Sequence, residues 1–98
     1  MKQQLLPPGI KPIFQLGNVV VTSQALIRIS VEDISVALGR HASGDWGDMS
    51  DMGKRENDAG LKHGFRLLSV YHDRHGIVLW VITEANRKTT TVLLPADY

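Results

Sequence analysis

The stretch that most constrains the fold is Phe65 to Tyr98, FRLLSVYHDRHGIVLWVITEANRKTTTVLLPADY. It reads as three consecutive strands joined by two short turns, Asp73–Gly76 and Ala85–Lys88. β-Branched and aromatic residues fill the runs, and turn formers separate them. With both loops symmetric, Leu67 lies opposite Ile82 and Thr83 opposite Thr90. Leu68, Val70, Leu79, Val81, Val92 and Leu94 then share one face. Leu67, Tyr71, Val78, Trp80, Ile82 and Leu93 share the other. Both faces are apolar in their middle layers, whereas an antiparallel sheet with one wet face alternates cleanly. Helices cover one side, and the Pro-rich amino-terminal arm or a second copy of the chain is expected to cover part of the other.

The segment before the sheet supplies the cover. Residues 1–13 hold three of the four prolines, with Gly9 among them, and read as an extended arm. Residues 14–98 form the single domain that 98 residues allow. Val19–Thr22 reads as a short strand, and Ser23 caps one helical turn. Ser30 and Asp33 resemble a capping box, and Val31, Ile34, Ala37 and Leu38 follow at helical spacing. That helix is expected over about Val31 to Arg40 or His41. A second, polar helix is expected from about Asp51 to Lys62, capped by Ser50 or Asp51 and ended by Gly64. The expected fold is α+β, an antiparallel three- to four-stranded sheet against one or two helices in the order β-α-α-β-β-β.

Composition excludes several function classes. The chain has no cysteine, which removes disulfides, thiol nucleophiles and cysteine-based metal sites. The first residues, MKQQLLPPGIKPIF, contain no signal-peptide apolar core, and no run has the roughly 20 apolar residues of a membrane helix. The expectation is a cytoplasmic protein with no membrane partner. A formal charge of +1 gives nucleic acid no support as a partner. The P-loop, G-x-S-x-G and G-x-G-x-x-G signatures are missing, so no cofactor is implied.

Two constellations bear chemistry. In the symmetric register Arg66, Thr83 and Thr90 form one row at a sheet end, with neighbouring Cβ atoms about 4.5–5.5 Å apart, near enough to act on one phosphate. Phe65, Glu84 and Thr89 form the matching row opposite. His63, His72 and His75 fall with Lys62, Arg66 and Arg74 around the first hairpin. Histidine, a cation and a hydroxyl suffice for metal-independent RNA cleavage, which makes His41, His63, Arg66, Thr83 and Thr90 the catalytic candidates. The same residues also suit a solvated sheet end. His41 with Asp45, Asp48 and Asp51 lacks a calcium-loop or zinc spacing, so no metal is assigned. A binding surface would draw on Asp45, Trp46 and Asp48 in the glycine-flanked loop, Arg66, Trp80 and Glu84 on the sheet, and Arg87 in the second turn.

The segments HASGDWGD, LLSVY and VLWVITEANRKTTTVLLPADY resemble a family of small bacterial proteins carried on plasmids and other mobile elements. The likeness spans about residues 14–98 and implies a bacterial, mobile-element origin without an activity. Where the family tends to read Ala-Asp-Arg-Ser after Thr83-Glu84, this chain reads Ala85-Asn86-Arg87-Lys88, without the acid. A fold-level likeness to barnase- and RelE-type ribonucleases implies a second reading, a ribonuclease-like toxin or nucleic-acid binder. The first reading is a non-enzymatic accessory protein that forms a homodimer through a sheet face, with another protein as a further candidate partner.

Overall fold

The computed structural model describes residues 6–98. Strand β1 (Asn18–Val21) leads into three helices, α1 (Ser23–Arg28), α2 (Val31–Ala42) and α3 (Asp51–His63). Strands β2 (Leu67–His72), β3 (Val78–Thr83) and β4 (Thr89–Leu93) follow, and a 3-10 turn over Pro95–Asp97 ends the chain. The class is α+β, as expected, but the order carries one helix more. The residues after β1 form a six-residue helix whose cap is Thr22, accepting from the Ala25 amide, rather than Ser23.

The sheet is mixed, in the order β1-β4-β3-β2. β2–β3 and β3–β4 are antiparallel hairpins, and β1 runs parallel to β4, which corrects the wholly antiparallel expectation. Three helices lie between β1 and the meander, so the connection is long enough to bring β1 alongside β4 in the same direction.

The second hairpin keeps the expected register, with Thr83 opposite Thr90. The first does not, because Leu67 faces Thr83 rather than Ile82. The loop takes in Ile77 as a fifth residue. The Asp73 carboxylate accepts from the His75 and Ile77 amides, and the Asp73 amide donates to the Ile77 carbonyl. One extra residue turns all of β2 over. Leu67, Ser69 and Tyr71 therefore join Leu79, Val81, Thr83, Thr90 and Val92 on the inner face, and Leu68, Val70 and His72 face outward.

Helix α2 covers the inner face. Ser30 caps it by accepting from the Asp33 amide. Asp33 does not reach back to complete a capping box, since its carboxylate holds Arg74 instead. Ile34, Ala37, Leu38 and His41 point inward at helical spacing and are buried. Burying a side chain such as Ile34 or Leu38 contributes roughly 1.5–3 kcal/mol. Behind α2, the arm packs against Gly39, where a Cβ would lie 2.9 Å from the Pro7 ring, and the Ile13 amide donates to the Ala42 carbonyl. The arm therefore backs the helix and not the outer sheet face; its residues 1–5 lie outside the described residues.

Helix α3 starts at Ser50 and stops at Gly64 in the left-handed region (φ 77°), as its sequence foretells. It lies beside β2, where the Asn57 amide group bonds both the Leu68 N–H (3.1 Å) and C=O (2.6 Å). The carboxyl-terminal turn lies against β3, with Tyr98 edge-on to Trp80 at 5.6 Å. No helix among the described residues is long and apolar enough to cross a membrane.

Candidate functional site

His41 sits in the last turn of α2 and reaches between β2 and β3 with no solvent exposure. Its Nδ1 lies 2.6 Å from Ser69 Oγ and its Nε2 2.9 Å from Thr83 Oγ1. Thr83 Oγ1 lies 2.7 Å from Thr90 Oγ1, and the Thr90 hydroxyl donates to the Leu16 carbonyl at 2.7 Å. Ser69, Thr83 and Thr90 are as fully buried as His41.

Counting hydrogens fixes every direction in this chain. A carbonyl only accepts, so Thr90 spends its proton on Leu16 and accepts from Thr83. Thr83 in turn accepts from Nε2–H of His41. Burial, followed by the nearby Arg87 charge, pushes the imidazole down to about 3, so the ring is neutral near pH 7. Its Nδ1 is then an acceptor and takes the Ser69 proton. Each donor meets one acceptor from β2 through α2, β3 and β4 to the backbone ahead of β1.

Aromatic rings close the chain off. Phe14 meets His41 edge-on at 5.2 Å, Trp46 at 5.8 Å, and Phe14 stacks on Trp46 at 6.3 Å. Trp46 is 4% exposed, and its Nε1–H donates to Asp58 at 3.0 Å, which pins the loop to α3. The loop also needs Gly47. At φ 76° a Cβ there would stand 2.0 Å from the Val70 carbonyl oxygen, because the loop pairs with β2 through Asp48 N–H and the Trp46 carbonyl. Arg87, itself at φ 60°, has its guanidinium 5.8 Å from the Phe14 ring and donates to the carbonyls of Phe65, Glu84 and Gly60. Those bonds tie the second hairpin to the end of α3, where a cation complements the helix dipole.

Ser69 and His41 have the separation and proton order of a nucleophile with its base. Both are sealed from solvent, so the pair meets no dissolved substrate and holds three elements together instead. The Arg66–Thr83–Thr90 row is not formed. Thr83 and Thr90 point inward to His41, while Arg66 lies beyond the strand and bonds the Tyr98 hydroxyl at 2.9 Å. His63 is exposed against Phe65 at 5.9 Å, His72 bonds Asp48 at 2.5 Å, and His75 remains exposed in the hairpin loop, so the three do not converge.

The remaining binding candidates divide between structure and surface. Asp45 holds Arg40 (2.7 and 3.2 Å), which keeps its carboxyl below the usual carboxylate range, and the Asp45 carbonyl accepts from Tyr71. Burial raises the Tyr71 phenol, and the Arg40 guanidinium lies 4.6 Å from its ring centre. Trp80 is half-buried on the outer face and Glu84 is exposed in its turn. Sequence reasoning missed Ser69, Phe14, Asn57 and the Leu16 carbonyl. Only a buried histidine in search of two partners could have pointed to Ser69. Comparison with known protein families, characterised proteins and solved structures finds no match.

Proposed function

We propose that this chain is a non-enzymatic interaction module, an accessory protein of a mobile genetic element, that pairs with a second copy through the outer face of its sheet. One observation carries the reading. Cross-strand rows on that face read Val20–Thr91–Ile82–Leu68 and Leu93–Trp80–Val70, and its one titratable side chain within the strands is His72. Val20 is 48% exposed and the flanking Tyr98 70%, Leu68, Val70 and Trp80 are half-buried, and Ile82 and Leu93 are already buried within the chain. An aromatic and aliphatic strip of this kind fits a self-complementary contact better than a solvated surface. Of the residues that the ribonuclease alternative draws on, His41, Thr83 and Thr90 are buried, and His63 and Arg66 are exposed but not joined to them.

Sedimentation velocity at tens of micromolar tests the proposal. The expected species is a dimer, which Val20→Lys with Thr91→Lys converts to monomer by setting charges on one cross-strand pair. A chain that stays monomeric throughout, or one that binds single-stranded RNA with a steep salt dependence through Phe65, Arg66 and Tyr98, overturns it.

A further inference from the structure

The two edges of the sheet are treated differently. Along β2 the outward backbone groups are closed: Asn57 takes both polar groups of Leu68, the Val70 amide donates to the Trp46 carbonyl, and the Val70 carbonyl accepts from Asp48. Strand β1 has no such cover. Asn18 donates to the Lys88 carbonyl and Thr22 to the Val92 carbonyl, which turns the even positions toward β4. The N–H and C=O of Val19 and Val21 therefore aim away from the sheet, and among the described residues no backbone or side-chain group bonds them. A charge or a proline usually guards such an edge. The strand NVVV has neither, and residues 13–27 contain no charged side chain.

We infer that the edge of β1 pairs antiparallel with the same edge of a second copy, joining two four-stranded sheets into one. Register, side-chain placement and charge all select that occupant. With Val19 opposite Val21 of the second copy, each such pair exchanges two N–H···O bonds, and the twofold axis passes between the two Val20 residues. Every outward group of Val19 and Val21 is then satisfied at once. Val20 is 48% exposed on the outer face, and the two Val20 side chains meet there with Cβ atoms about 4.5–5.5 Å apart. The charges flanking the strand are opposite in sign. Exposed Lys88 stands where β1 begins, its carbonyl receiving the Asn18 amide, and Asp97 stands where β1 ends, its carboxylate accepting from the Thr22 hydroxyl at 2.7 Å. Antiparallel pairing sets Asn18 of one copy against Thr22 of the other, which brings Lys88 of each copy beside Asp97 of the other. A parallel pairing would set lysine by lysine and aspartate by aspartate. This contact uses the backbone edge rather than the outer face, and either pairing can fail without the other.

The test uses the full chain carrying Val70→Lys, which charges the outer face on β2, at the far side of the sheet from β1, and removes face pairing. Sedimentation velocity at several hundred micromolar should show a dimer. Adding Val21→Pro, which deletes an outward N–H and leaves the bonds to β4 in place, should return a monomer. Lys88→Glu and Asp97→Lys should each weaken the dimer about tenfold or more, because each sets like charges together on both sides of the axis. A one-to-one mixture of those two variants should restore it, since every glutamate or aspartate then meets a lysine. In the parent chain, exchange at the Val19 and Val21 amides should slow as concentration rises. Four results overturn the inference: a strict monomer with Val70→Lys, a dimer that survives Val21→Pro, a mixture that associates no better than its components, or Val19 and Val21 amides equally protected at every concentration, which means that the chain fills its own edge. Failure of the outer-face reading is seen separately, as a parent dimer at tens of micromolar that Val70→Lys leaves unchanged.

Discussion

Acidification should destabilise this protein through His41 alone by a calculable amount. The ring ionises near 6.5 in an unfolded chain and only at about 3 in the folded one. Below pH 6.5 the unfolded state takes up a proton that the folded state refuses, so stability falls with pH through the window from 6.5 down to 3. From about pH 7.5 to about pH 5 the loss is roughly 1.36 kcal/mol for each of about 1.5 units below 6.5, or about 2 kcal/mol. That is a large share of the roughly 5–15 kcal/mol that holds a domain together. Asp33 and Asp45, whose carboxyls Arg74 and Arg40 hold below the usual range, stay ionised over this window. Urea unfolding of the parent chain and of His41→Gln at both pH values isolates the effect. The variant is weaker at pH 7.5, but its loss between the two pH values should be about 2 kcal/mol smaller. Whatever does not involve residue 41 is common to both proteins and cancels. Equal losses would mean that His41 is protonated in the folded state or reached by water, and would refute the hydrogen-bond order assigned above.

Two further outcomes follow from local geometry. Gly47→Ala, whose Cβ would meet the Val70 oxygen at 2.0 Å, should cost about 3 kcal/mol or more in denaturant unfolding, while Gly64→Ala, with φ 77° but open space around it, should cost about 1–2 kcal/mol. Asn57→Ala strips both partners from Leu68 and should cost about 1–3 kcal/mol; hydrogen exchange should quicken at the Leu68 amide before it does so at Val81.

Local features were readable wherever local chemistry set them. Ser30, Ser50 and Gly64 mark their helix ends because caps are satisfied within one turn. The Glu84–Thr89 hairpin kept its register because the turn is built from its own residues, with Asn86 accepting from the Lys88 amide. The parallel partner of β1 lies about seventy positions away, and nothing in NVVV names it. The first hairpin failed on a single carboxylate, because Asp73 drew Ile77 into the loop. The apolar pattern of β2 offered no warning: Leu67 and Tyr71 are as greasy as Leu68 and Val70. The candidate site was half legible. The sequence places Thr83 and Thr90 side by side, as the structure does, but sets Arg66 beside them where the structure has His41 and Ser69, because the symmetric first hairpin turns Ser69 to the opposite face with the rest of β2.

That ambiguity suggests why a histidine and three hydroxyls occupy space that aliphatic side chains could fill. With grease on both faces of β2 and β3, hydrophobic burial barely separates one register from the next. The polar chain does separate them. A one-residue slip of β2 would set Leu68 or Val70 against Nδ1 of His41 and carry Ser69 away. A slip of β3 would strand Nε2 and Thr90 in the same manner. Each buried group left unpaired costs about 1–3 kcal/mol, enough to empty a competing register. The expected signature is a variant that remains stable but loses uniqueness. His41→Leu with Ser69→Ala and Thr83→Val removes the chain, while Thr90 still bonds the Leu16 carbonyl. Its urea midpoint should stay near that of the parent, because apolar groups replace a matched polar set. Its amide spectrum should show doubled or broadened resonances along β2 and β3. A single sharp set with unchanged Leu67–Thr83 pairing would show that the loop around Asp73 fixes the register unaided.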